Sequence, residues 1–298
     1  MYKSLVEDEQ WHVRHSILFA LPGILARVDA AQRRSLTVPS LVHLSRDPSD
    51  PVRSGLLEVL GEVIYTFRDD PQGPPRELLQ LFIQDRDWSL DDRSSPAPSQ
   101  SFHSPVDWFS DPERPIICAF NFPAVIYTVG AKRWPEVRNY YLHLAKFPTA
   151  KVLRTLAASL GEVAAIIGSA FAETDLIPIF LSSLRSTEPE VRAKIIEALP
   201  KFVGTLSESR RESIITELSS VWLELGGWRE REDLARLLGE LVSLSGNNID
   251  SVVEIMSKAL RDEVAAVREA AISSVSPLFT FARFLTEAIG TRVFESPS

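Results

Sequence analysis

Residues 151–168, KVLRTLAASLGEVAAIIG, decide how this chain is to be read. Alone they describe one amphipathic helix with no chemistry on it. The same plan recurs in PVRSGLLEVLGEVIYTF at 51–67 and in EVRAKIIEALPKFVGTL at 190–206. Three helices of one design make the unit of this protein a repeat, and a repeat protein works through a surface more often than through a catalytic cluster.

With the first position of each such helix as an anchor, the anchors fall at Val13, Val52, Arg114, Val152, Val191, Glu230 and Val267. The steps between them are 39, 62, 38, 39, 39 and 37 residues. All but the second match the roughly 40-residue period of HEAT or armadillo units. Positions +4, +8 and +12 share one helix face, because each step of four residues turns about 400°. They read Ile17, Leu21, Leu25; Leu56, Leu60, Ile64; Cys118, Phe122, Ile126; Leu156, Leu160, Ala164; Ile195, Leu199, Val203; Leu234, Leu238, Val242; and Ala271, Val275, Phe279. None is charged, even in the two repeats whose anchors are polar.

Position +9 is Pro22, Gly61, Pro123, Gly161, Pro200 or Gly239, with Ser276-Pro277 in the last repeat. A proline there removes a helical hydrogen bond and predicts a bend, while a glycine admits a close neighbour. Arg follows the anchor in five repeats (Arg14, Arg53, Arg192, Arg231, Arg268), and Asp precedes it by five residues in three (Asp8, Asp47, Asp262). In HEAT families such an Asp and Arg pair between neighbouring repeats, and here that ladder is incomplete. Apolar-periodic segments beginning at 33, 74, 134, 176, 209 and 249 supply the first helices. Stacking is required because one helix pair cannot bury its own apolar face. The expected fold is all-α: a HEAT/armadillo-like α-α superhelical solenoid of about seven repeats spanning residues 1–298 as one domain. Both ends read as cut: Met1 lies 12 residues before Val13, too few for a full first helix, and the next anchor would fall at about residue 306. The expectation is a segment of a longer solenoid, or an incomplete gene model.

The long step marks an interruption, RDWSLDDRSSPAPSQSFHSPVDWFSDPERP at 86–115. Rich in Ser, Pro and Asp, it reads as a mobile surface loop at about 86–112. Ser95 and Ser104 precede proline and suit a proline-directed kinase, and Ser89 suits an acidophilic one. Trp88 and Trp108 are expected to dock on the solenoid itself, the competing reading being that they hold a partner.

Composition narrows the function. The chain has 298 residues, 45% hydrophobic and 24% charged, with a formal charge of −8. An acidic chain lacks the basic face of sequence-independent nucleic-acid binding. The single cysteine, Cys118, excludes an internal disulfide and a cysteine-ligated zinc site, and at a +4 position its expected role is packing. No run reaches the roughly 18 apolar residues of a membrane span, and acids stand where a secretory leader would be apolar. The expectation is an intracellular protein of the cytoplasm and nucleus, with neither nucleic acid nor membrane as partner. No histidine is followed by Glu, so the metal-binding pairs of HEAT-repeat hydroxylases and the HExxH helix are missing, as are GxSxG, P-loop and GxGxxG motifs. Neither an enzyme nor a cofactor is expected.

ICAFNFPAVIYTVGAKRWPEVRNYYLHLAKFPTAKVLRTLAASLGEVAAIIG, followed by TDLIPIF, resembles the regulatory subunit 1 family of protein phosphatase 4. RDPSDPVRSGLLEVLGEVIYTF resembles the repeat before that family's long acidic insertion, and RRESIITEL with GGWREREDLARLL continues the likeness. The loop here is short by comparison. The resemblance implies a non-catalytic scaffold that binds a serine/threonine phosphatase catalytic subunit of the 2A/4 class, together with a further regulatory or substrate protein. A HEAT adaptor for transport or other complex assembly is the competing class. Partners of such scaffolds are gripped by the ridge of turns joining the two helices of each repeat. On that ridge Trp11 with His12, and Trp228 with Arg229, are the candidate partner-binding residues, since aromatic and Arg side chains dominate hot spots. The opposing reading has each Trp packing over the neighbouring repeat and Arg231 serving the internal ladder.

Overall fold

The computed structural model describes residues 2–83, 111–245 and 249–274. Every regular element in them is helical. The chain forms two compact units, Met1–Leu156 and Ala157–Ser298.

Unit 1 contains α1 (Tyr2–Val6), α2 (Trp11–Leu25), α3 (Ala30–Leu44), α4 (Asp50–Tyr65), α5 (Arg76–Ile83) and α6 (Arg114–Leu144). Helix α7 (Ala150–Ile167) carries the division between the units. Unit 2 continues with α8 (Ser169–Phe171), a π-helical turn at Ala172–Leu176, α9 (Ile177–Leu184), α10 (Pro189–Thr205), α11 (Glu208–Val221), α12 (Trp228–Arg236), α13 (Leu238–Leu244) and α14 (Asp250–Leu260). Residues 265–274 are also helical. A helix begins within a few residues of every anchor, so the all-α stacking of a helical solenoid stands.

The inward face predicted from the register is the core. Of the +4, +8 and +12 side chains among the described residues, all are buried except Val242, which is half-buried. Val275 and Phe279 lie outside the described residues. Around this face in unit 1 sit Phe82, Phe122, Trp134 and Tyr141, with ring centroids of Phe82–Phe122 at 5.1 Å and of Trp134–Tyr141 at 5.5 Å. In unit 2 Phe180 stacks on Phe202 at 4.8 Å. Cys118 is fully buried with Sγ 3.8 Å from the Phe82 carbonyl, and burial pushes its thiol pKa up, which fits the packing role.

Two details depart from a regular repeat. Helix α6 is 31 residues long because a second helix and the following first helix run into one another. Its length and composition alone would suit a membrane span, but Gly130 at φ 66° divides it, and Phe122, Trp134, Tyr140 and Tyr141 on it are buried within unit 1. That backbone is open to glycine and strained for other residues. The sixth second helix is broken at Leu237, giving α12 and α13.

The +9 glycines mark close approach. A methyl at Gly61 would sit under 3.0 Å from the Asn121 side chain, and one at Gly239 under 3.0 Å from the Ser274 carbonyl oxygen. Each glycine lets the next second helix lie closer than any Cβ allows.

Candidate functional site

In five of the repeats the turn between the two helices is built by the arginine that follows the anchor. Nη1 of each one donates to a backbone carbonyl six residues earlier: Arg14 to Asp8, Arg53 to Asp47, Arg192 to Ser186, Arg231 to Leu225 and Arg268 to Asp262. Those carbonyls lie just past the end of a first helix, where helical geometry leaves acceptors without a partner. The arginine thus closes the turn with a charge-assisted hydrogen bond.

In Arg14, Arg192 and Arg231 the remaining guanidinium nitrogens reach the next repeat. Arg14 binds both carboxylate oxygens of Asp47, at 2.6 and 2.9 Å. Arg231 does the same to Asp262, at 2.6 and 3.2 Å. Burial raises the Asp47 pKa, but the Arg14 hydrogen bond and charge and the Ser49 N–H outweigh it, and the net shift is downward. Asp262 is lowered first by its hydrogen bond from Arg231, against the cost of burial. Both aspartates also accept a backbone N–H two residues on, from Ser49 and from Val264. Arg192 finds no Asp at the equivalent place. Its partner is Glu230, the polar anchor, 38 residues on.

These hydrogen bonds fix which ridge residues are engaged by the fold. Arg231 belongs to the ladder. Trp228 opens α12, is 37% exposed, and carries the Arg229 guanidinium 4.4 Å above its ring. Trp11 opens α2 at 48% exposure, edge-on to His12 at 6.0 Å and to His15 at 6.2 Å. Trp228 with Arg229 in unit 2, and Trp11 with His12 in unit 1, are therefore aromatic–cationic and aromatic–imidazole pairs at the surface of a turn. Ser89, Ser95 and Ser104, with Trp88 and Trp108 and most of the 86–112 loop, lie outside the described residues. Among the described residues no three His, Cys, Asp or Glu side chains are grouped to hold a metal ion.

Phe19, Tyr65, Phe120 and Tyr127, none of them among the sequence candidates, are exposed on second helices. Their signal was available: they stand at +6 or +13, where the register points outward.

Residues 118–221 match the family model of the protein phosphatase 4 regulatory subunit 1 middle domain. The chain is 32% identical over 165 residues to serine/threonine-protein phosphatase 4 regulatory subunit 1 of Homo sapiens, covering 54% of this chain and 17% of that protein. The Mus musculus protein of the same name matches equally. Serine/threonine-protein phosphatase 4 regulatory subunit 4 of Mus musculus is 22% identical over 263 residues, 72% of this chain and 29% of its own. The chain spans less than a fifth of the length of the regulatory subunit 1 relatives it matches. On these matches, with the helical repeats that carry them, the chain resembles regulatory subunit 1 of protein phosphatase 4, and its counterpart of that family's middle domain lies at residues 118–221.

Proposed function

We propose that this chain is part of a non-catalytic regulatory subunit that binds the catalytic subunit of a serine/threonine phosphatase of the 2A/4 class and directs it to substrates. The match at residues 118–221 carries the reading, because the relatives found are named as regulatory subunits of one phosphatase. The stacked helices supply the kind of surface such a role needs, and the ridge pairs Trp228–Arg229 and Trp11–His12 are its candidate contacts. Large aromatic and Arg side chains at a desolvated contact are the usual sources of interface affinity.

The test is direct capture. The immobilised chain is incubated with purified catalytic subunit of protein phosphatase 4 and, separately, of protein phosphatase 2A. Saturable retention of either supports the reading. Retention of neither at micromolar concentrations overturns it for this segment.

A further inference from the structure

The outward face of the second helices in unit 1 is chemically unlike its counterpart in unit 2. Phe19 on α2, Glu58 and Tyr65 on α4, and Phe120 and Tyr127 on α6 stand six or thirteen residues after their anchors, and all are exposed. Phe120 reaches 75% and Tyr127 59%. The three helices lie in register. A methyl at Gly55 of α4 would touch His15 and Phe19 of α2 at 3.0 and 3.3 Å, and the rings of Tyr65 and Tyr127 are 6.0 Å apart. The +6 side chains therefore form one row across α2, α4 and α6, and Tyr65 and Tyr127 form a second.

Between the aromatic helices, Glu58 and Glu62 sit one turn apart on α4, both exposed. Among the described residues no cation pairs with either. In unit 2 two of the equivalent acids are neutralised, Glu197 by Lys194 at 2.6 Å and Glu162 by Lys201 at 3.0 Å, while Glu240 stands exposed without an aromatic at the +6 or +13 position of its repeat. The +6 and +13 positions of α7 there are Ala158 and Ala165. Unit 1 thus combines exposed rings with uncompensated carboxylates. Its rings accept guanidinium groups, since Arg68 stacks 4.6 Å from the centre of Tyr65. A ring face beside a carboxylate favours a cation by two attractions at once.

We propose that the outward face of α2, α4 and α6 docks an extended segment of a partner protein in which Arg or Lys alternates with apolar side chains. The cations sit against Glu58 and Glu62, and the apolar side chains cover Phe120, Tyr127 and Phe19. A second copy of this chain is the poorer occupant. A two-fold interface on this face would bring the Glu58 and Glu62 carboxylates of both copies into one contact patch with no added cation, in a chain whose net charge is −8. The inference does not depend on the phosphatase reading.

Fluorescein-labelled dodecapeptides test it, one alternating Arg and Leu, one Glu and Leu, one Arg and Ser, by anisotropy against the full chain. Saturable binding is expected for the Arg–Leu peptide and not for the other two. Glu58→Lys with Glu62→Lys, and separately Phe120→Ser with Tyr127→Ser, should each weaken it by about tenfold or more. Glu208→Lys with Glu269→Lys, the same charge change at exposed sites elsewhere, should leave it unaltered. Circular dichroism verifies the fold, and Phe120→Ser alone stands in if the double variant melts. Equal weakening by the control pair would mean diffuse charge attraction, and unchanged binding in both site variants would mean another surface. Self-association in the ultracentrifuge that Phe120→Ser abolishes would assign the face to a second copy. Each of these three results overturns the proposal.

Discussion

Arg192 grips a single oxygen of Glu230: Nη2 and Nε both donate to Oε1, at 2.6 and 3.0 Å, while Oε2 is buried with no hydrogen-bond partner. The longer glutamate, placed at the anchor instead of five residues before it, does the work that Asp47 and Asp262 do elsewhere. A residue that looks like a lapse in the apolar register is the acid that links two repeats.

Removing that acid should therefore cost more than an ordinary surface change. Glu230→Ala leaves the mostly buried Arg192 guanidinium without its counter-charge, and about 3–5 kcal/mol of stability should be lost. Arg192→Leu combined with Glu230→Leu should recover part of it, because no buried charge is then left alone. Urea unfolding of the two variants decides the matter. A double variant less stable than Glu230→Ala would show that the carbonyl bond to Ser186 outweighs the ion pair.

Acid should loosen the ladder in a defined window. Asp47 and Asp262 have folded-state pKa values below their usual one. Their stabilisation is complete above the unfolded carboxylate value of about 3.9 and is lost as pH falls through the lower folded values. Melting temperature should drop steeply below about pH 4. Asp47→Asn with Asp262→Asn should be less stable at neutral pH yet flatter through that window. A variant as steep as the parent would place the acid sensitivity in other carboxylates.

Two glycines should respond in opposite senses. At Gly23, inside α2 with nothing within 4 Å of a new Cβ, alanine should add about 0.5–1 kcal/mol through helix propensity. At Gly239 the same methyl meets the Ser274 backbone, which cannot swing aside as a side chain would. Overpacking of about 1–3 kcal/mol should outweigh the propensity gain. Thermal melts of the single variants are sufficient, and a stabilised Gly239→Ala would mean that the helices separate freely.

The ridge pair should separate binding from folding. Trp228 and Arg229 form an exposed cation–π contact, which stabilises by only about 0.5–1 kcal/mol. Trp228→Ala with Arg229→Glu should shift the melting temperature by about 2–4 °C or less and weaken capture of the phosphatase catalytic subunit. Unchanged capture would remove this turn from the interface, and a much larger thermal loss would assign the pair to the fold.

The sequence by itself determined the repeat, its spacing and its inward face, because helical periodicity and burial are local properties that each repeat states independently. It also determined the arginine that follows five of the anchors and caps a carboxyl-terminal carbonyl only six residues away. The tertiary structure decided what depends on the neighbouring repeat. Glu230 became a ladder acid because Arg192, 38 residues earlier, is brought against it. Gly130 turned where no spacing rule marked it, since the joining of two helices is settled by how both pack. Tertiary structure also decided that Trp228 and Trp11 stay exposed, because whether a turn residue is covered depends on the surface beside it. The same holds for Phe120 and Tyr127: periodicity points them outward, and only the packing of α4 against α6 sets the Tyr127 ring 6.0 Å from Tyr65.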